Sequence, residues 1–258
     1  MLIVAIWCGI HLAVFSALTL LYRKVTGAEP SEVLFESPHR LLVPSFGHVL
    51  IAVGSVLLLT MVPGVGRTPR SVWFASGDRA SVLVCAVLGL VPTLVNVLAV
   101  TALHRSGAPR RRRAQRYPVG RLMGFTIALS AHAFVEELLF RNVPLALMGT
   151  EHLAAAYAIP VLAFIAVHFL GPRRPRSPAR VVHLAAGALF FFVVACRFGL
   201  FHATVAHVMA NLSVGLTEGY WEIGALAEFS PGNTDARFRR NAIGYLLSVV
   251  ILLIVYGC

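Results

Sequence analysis

The chain has 258 residues, of which 58% are hydrophobic and 13% charged, and its mean hydropathy is +0.79. That balance excludes a soluble globular domain and marks an integral membrane protein. The net charge of +11 does not indicate nucleic-acid binding, because the arginines that produce it gather between apolar runs.

Mostly apolar runs extend from Leu2 to Tyr22, Leu41 to Pro63, Ala80 to Leu103, Leu122 to Gly149, His152 to Leu170, Val181 to Cys196, Phe198 to Gly215 and Ala242 to Gly257. The longer ones match the roughly 20 residues a helix needs to cross the hydrocarbon core, and the shorter ones are marginal. The expectation is an all-α, polytopic transmembrane bundle of about eight helices. The stretch from Val181 to Gly215, interrupted by Arg197, fits either one bent helix or two short ones. The first run lacks a basic leader and a small-residue cleavage site, so it reads as a retained helix rather than a signal peptide. No charge-rich loop is long enough to fold separately. One membrane domain is expected, with three spans and a basic loop in 1–119, a core in 120–215, and a loop and final span in 216–258.

The basic residues are unevenly placed. Loops after odd-numbered spans carry seventeen, including Arg110 to Arg113 after span three and Arg173, Arg174, Arg176 and Arg180 after span five; the alternate loops hold only Arg67, Arg70, Arg79 and Arg197. The positive-inside rule then puts the basic loops in the cytoplasm and both termini outside, most simply in the plasma membrane. Contact with anionic lipid is compatible with this pattern but not required by it. Cys8, Cys85, Cys196 and Cys258 form no CxxC pair and read as small apolar residues rather than a disulfide framework or zinc cluster.

Three polar constellations stand inside the apolar runs. In the fourth, Phe134-Val135-Glu136-Glu137-Leu138-Leu139-Phe140-Arg141 holds two acids and a base, where each charge costs a few kcal/mol unless it faces a bundle interior or a wet cavity. Glu137 and Arg141 are four apart and can pair on one helical face, which leaves Glu136 free to act as a general base. The bland alternative is a buried charge pair that fixes helix packing. In the fifth, Phe164-Ile165-Ala166-Val167-His168 ends an otherwise apolar run; His11, His48, His132 and His183 also lie in spans and read as packing residues. In the seventh, His207 and Asn211 stand one turn apart, able to offer two donors to one oxygen as an oxyanion site requires, or to serve as interhelical polar glue. At 1.5 Å per residue, Glu136, His168 and His207 lie about 20, 25 and 15 Å below the outer loops, depths that agree within helix tilt.

In this order, EExxxR, FxxxH and HxxxN over roughly Gly120 to Gly215, the chain resembles the CPBP family of intramembrane proteases, which includes type II CAAX prenyl endopeptidases and relatives linked to bacteriocin self-immunity. The resemblance implies that Glu136 and His168 activate a water, that His207 and Asn211 stabilise the oxyanion, and that Glu137 and Arg141 support them. It implies an endopeptidase acting on a membrane-associated, in some relatives lipidated, protein or peptide. Where most relatives carry glycine after the motif arginine, this chain has Asn142. His132 and His202 lie outside the motif and are candidates for residues behind the site. No cofactor is expected. Zinc held by Glu136, His168 and His207 is the mechanistic rival, although no HExxH signature demands it. Two other classes compete: a transporter or proton relay, which lacks the expected repeat symmetry, and a non-catalytic peptide-binding immunity protein.

Overall fold

In lipid, backbone N–H and C=O groups find no water, so long apolar runs are driven into helices that satisfy these groups internally. The computed structural model describes residues 2–26, 50, 53–54, 79–104, 119–169, 177–215 and 231–257. Every regular element among them is helical: α1 (Leu2–Thr26), α2 (Arg79–His104), α3 (Val119–Glu137), a π-helical turn (Leu138–Asn142), α4 (Val143–Met148), a 3-10 turn (Thr150–His152), α5 (Leu153–Phe169), α6 (Pro178–Phe198), α7 (Leu200–Gly215) and α8 (Pro231–Tyr256). Because α3, the π turn and α4 run on as one rod, seven rods stand among the described residues against the eight expected. The predicted span from Leu41 to Pro63 lies almost wholly outside the described residues, as do the arginine-rich stretches 105–118 and 170–176.

Among the described residues three segments, Arg79–Ala99, Pro178–Phe198 and Asp235–Tyr256, are long and apolar enough to cross a bilayer. Their outer faces fit that setting. On α2, Leu83, Val87, Leu94 and Leu98 are exposed, and on α8 so are Ile243, Leu247, Val250 and Ile254. In water such stripes would be association liabilities; against acyl chains they are at home.

The stretch from Val181 to Gly215 resolves into two helices. Its break is at Gly199 rather than at Arg197, which α6 carries in its last turn. Gly199 has φ 87° and ψ −178°, a conformation essentially closed to residues with a Cβ. Gly149, with φ 67°, makes the corresponding break between α4 and α5. The π turn also has a local cause. Pro144 near the start of α4 offers no N–H to the carbonyl four residues back, and its ring crowds that carbonyl. The chain widens there, and the Val143 N–H bonds Leu138 O, five residues back.

Polar contacts set the register of the helices. Ser81 Oγ meets His202 Nε2 at 2.8 Å and Thr93 Oγ1 meets Ser213 Oγ at 2.6 Å, so α2 and α7 run parallel. Arg240 Nε donates to Asn96 Oδ1 at 2.7 Å and Ser248 Oγ to Leu88 O at 3.0 Å, so α8 runs antiparallel to α2. Helices α6 and α8 run parallel: Arg180 lies over Phe238 near their starts, and Arg197 Nη2 reaches Tyr256 O at their ends. His202 is thus a packing residue, as is His183, which stacks on Phe238 at 5.3 Å.

Between the polar contacts the backbones touch through glycine. A Cβ on Gly89 would strike the Ala206 carbonyl, and one on Gly244 would strike the Pro92 backbone. Close approach through small residues is what holds helices together where lipid removes the hydrophobic drive. Gly89→Ala gains about 1 kcal/mol in helix propensity, yet forcing α2 off α7 costs about 1–3 kcal/mol. The variant should therefore unfold at a lower temperature in detergent micelles than the parent chain; an equal or higher midpoint would show the contact to be loose.

Candidate active site

The site is assembled where the α3 rod, α5, α6 and α7 meet. Glu136 and Glu137 are the last residues of α3, Arg141 lies in the π turn, His168 is in the last turn of α5, and His207 sits mid-way along α7. Glu136, Glu137, Arg141 and His207 are all buried, at 4%, 0%, 1% and 5% exposure. Charges this deep persist only when matched at short range.

Glu137 supplies the match. Its Oε1 lies 3.2 Å from Arg141 Nη1, the i,i+4 pair expected from the spacing, and it also accepts a 2.6 Å hydrogen bond from His207 Nδ1. That second contact was not foreseen. It makes Glu137 the group that sets the orientation of the α7 imidazole. Phe191 of α6 stacks on the His207 ring at 4.4 Å and 18°. The Arg141 guanidinium lies over the Phe164 ring at 4.7 Å and the Phe191 ring at 5.7 Å, close enough for cation–π attraction. The two Phe191 contacts have no sequence signature, because Phe191 is the middle of three consecutive phenylalanines.

Glu136, expected to be free, is ringed by imidazoles from three helices. Its Oε1 lies 3.1 Å from His132 Nε2 and 3.9 Å from His168 Nε2, and its Oε2 lies 3.6 Å from His207 Nε2. Only the His132 contact is within hydrogen-bond range. His132 read as a packing residue and also as a candidate for a residue behind the site, one turn before Glu136; that i,i+4 spacing is what brings it to the carboxylate.

The ring orientations follow from their other nitrogens. His168 Nδ1 is 2.8 Å from Phe164 O; a carbonyl can only accept, so Nδ1 carries the proton there. In the neutral ring, Nε2 therefore turns a lone pair toward Glu136. Two acceptors 3.9 Å apart repel unless a donor lies between them. A water donating one O–H to each satisfies both. Asn211 follows His207 by one turn of α7 and is half-buried; none of the described hydrogen bonds reaches it. Asn142 is fully buried at the end of the π turn. No group of three or more His, Cys, Asp and Glu side chains among the described residues is arranged to hold a metal ion.

The Glu137–Arg141 pair should be costly to break and cheap to replace. Glu137→Gln leaves the guanidinium buried beside a neutral amide, a loss of about 3–5 kcal/mol, whereas an apolar pair of similar volume is often neutral. Thermal unfolding of Glu137→Gln, Arg141→Met and the double variant Glu137→Leu/Arg141→Leu checks this. Each single change should lower the midpoint more than the double change does.

Comparison with known proteins adds one finding. Residues 118–213, just over a third of the chain, match the family model for type II CAAX prenyl endopeptidase Rce1-like proteins. No curated protein and no solved structure matches. The matched segment runs from the start of the α3 rod to the end of α7 and so contains all three constellations. With three helices among the described residues apolar and long enough to span a bilayer, the chain is an integral membrane protein whose central segment is similar to Rce1-like type II CAAX prenyl endopeptidases.

Proposed function

We propose that the protein is a membrane-embedded endopeptidase in which Glu136 and His168 activate a water, while His207 and Asn211 receive the developing oxyanion. The observation that carries this reading is the 3.9 Å gap between Glu136 Oε1 and His168 Nε2, with the opposite nitrogen of the His168 ring tied to Phe164 O.

The chemistry follows from that gap. A water hydrogen-bonded to both acceptors has its oxygen electrons directed away from them, toward an incoming carbonyl carbon. Glu136 takes one proton as the oxygen attacks. The negative charge moving onto the carbonyl oxygen is met by the Asn211 carboxamide and by the Nε2–H of His207, a ring that donates its Nδ1–H to Glu137 and so carries a proton on both nitrogens in this role. Few waters compete at this depth, so each such bond is worth more than in bulk solvent. Collapse of the tetrahedral species breaks the C–N bond, and the leaving amine departs with the proton that Glu136 collected.

Substrates on this reading are peptide bonds of membrane-associated proteins or peptides, with lipidated C-termini the first to test because of the family matched by residues 118–213. The basic loops face the cytoplasm of the plasma membrane, with lipid and the substrate peptide as the partners. Neither a transporter nor an immunity-protein reading gains support from the fold or the family match.

A fluorogenic peptide ending in a prenylated Cys followed by two aliphatic residues and one further residue is the probe, used with purified protein in lipid nanodiscs. Glu136→Ala, His168→Ala and His207→Ala should each abolish cleavage while leaving expression intact, with losses of at least about 10²-fold. Full activity of Glu136→Ala would remove the assignment. The proposed reaction needs no resident metal, so cleavage should survive chelation by 1,10-phenanthroline; loss on chelation and return on adding zinc would favour the zinc rival.

A further inference from the structure

We propose that His132, which lies outside the three motifs, is a positioning residue for Glu136: its Nε2–H donates to Oε1 and fixes the plane of the carboxylate. This inference deepens the endopeptidase reading and rests on it for the catalytic consequence, but not for the contact itself.

The need for such a residue comes from the glutamate side chain. The last torsion of a glutamate joins an sp³ to an sp² carbon and has a broad, roughly two-fold profile, so packing alone does not set the carboxylate plane. The two groups that face Glu136 from other helices, His168 at 3.9 Å and His207 at 3.6 Å, are beyond direct hydrogen bonding. A water must fit between Glu136 and His168 for the proposed chemistry, so the His168 ring cannot close on Oε1 without filling that space. His132 Nε2, at 3.1 Å from Oε1, approaches from the preceding turn of α3 and leaves the gap open. It belongs to the same rod as Glu136, so its hold does not depend on how α5 or α7 moves. With Oε1 tethered, Oε2 is turned toward His207, and the two oxygens are divided between the imidazoles of α5 and α7.

Geometry also separates a donor role from simple volume. A glutamine at 132 places its amide nitrogen near the position of His Nε2; an asparagine places it near Nδ1, a bond too short to reach Oε1. His132→Gln should therefore keep the hydrogen bond, while His132→Asn and His132→Ala lose it.

Two measurements in nanodiscs test this. In the first, the infrared carboxylate band assigned to Glu136 by subtraction of the Glu136→Gln spectrum should shift in His132→Ala and His132→Asn and stay in place in His132→Gln. In the second, with the prenylated fluorogenic peptide, His132→Ala and His132→Asn should lose on the order of 10- to 100-fold in kcat with little change in KM, the size expected of a misplaced reacting group. His132→Gln should retain at least about a third of the parent kcat, a loss of under 1 kcal/mol. An unmoved band in His132→Ala, or equal activities for the Asn and Gln variants, would overturn the proposal. A band that shifts as expected while Glu136→Ala still cleaves would keep the tether and sink the endopeptidase reading instead, so the two failures are distinct.

Discussion

Glu137 is the hinge of the electrostatic design. A carboxylate with no exposed surface in a lipid-embedded bundle must be matched within a few ångströms or it will not stay charged. Here one oxygen takes both the Arg141 guanidinium and the His207 ring N–H. Arg141 in turn lies over rings from α5 and α6. Four helical segments thus converge on one buried ion pair. Their relative placement is dictated less by apolar packing, for which lipid is an equal competitor, than by the need to surround these charges.

From that constraint the orientation of the neighbouring groups follows. His207 has its Nδ1 occupied by Glu137 and its face covered by Phe191, which leaves Nε2 directed at Glu136. His168 is tied by its own helix: the Phe164 carbonyl one turn earlier holds Nδ1, and the Phe164 ring packs on the imidazole at 4.2 Å. In both rings one nitrogen is spent on structure so that the other faces the same carboxylate. Groups held this way need little rearrangement when charge develops, and in the proposed mechanism that pre-arrangement is the source of rate.

The departures from regular helix serve the same centre. The π turn begins immediately after Glu137 and contains Arg141, so the acid and the base straddle the point where the rod widens, a placement common for such turns at working sites. Gly199 folds α7 back alongside α6, bringing His207 against Phe191. Gly89 and Gly244 let α2 approach α7 and α8 to backbone contact, which braces the helix that carries His207.

By itself the sequence determined the helical, membrane-embedded class, because hydropathy and the cost of unpaired backbone groups in lipid leave little else. It also determined the Glu137–Arg141 pair, which depends on residues close in the chain, but it left Val181 to Gly215 as either one bent helix or two, and the structure breaks that stretch at Gly199. The motif order carried a resemblance through a segment that the Rce1-like family model also matches. What only the tertiary structure decided is which atoms face one another. Wheel geometry left Glu136 free, and three imidazoles enclose it. His132 read as a packing residue or a residue behind the site, and of the three imidazoles it lies nearest to Glu136. Glu137 read as the partner of Arg141 alone, and it also orients a ring 70 residues away in the chain. The physical reason is range: a helix's periodicity reports neighbours one turn off, whereas a hydrogen bond between helices depends on rotation and depth, which no local pattern encodes.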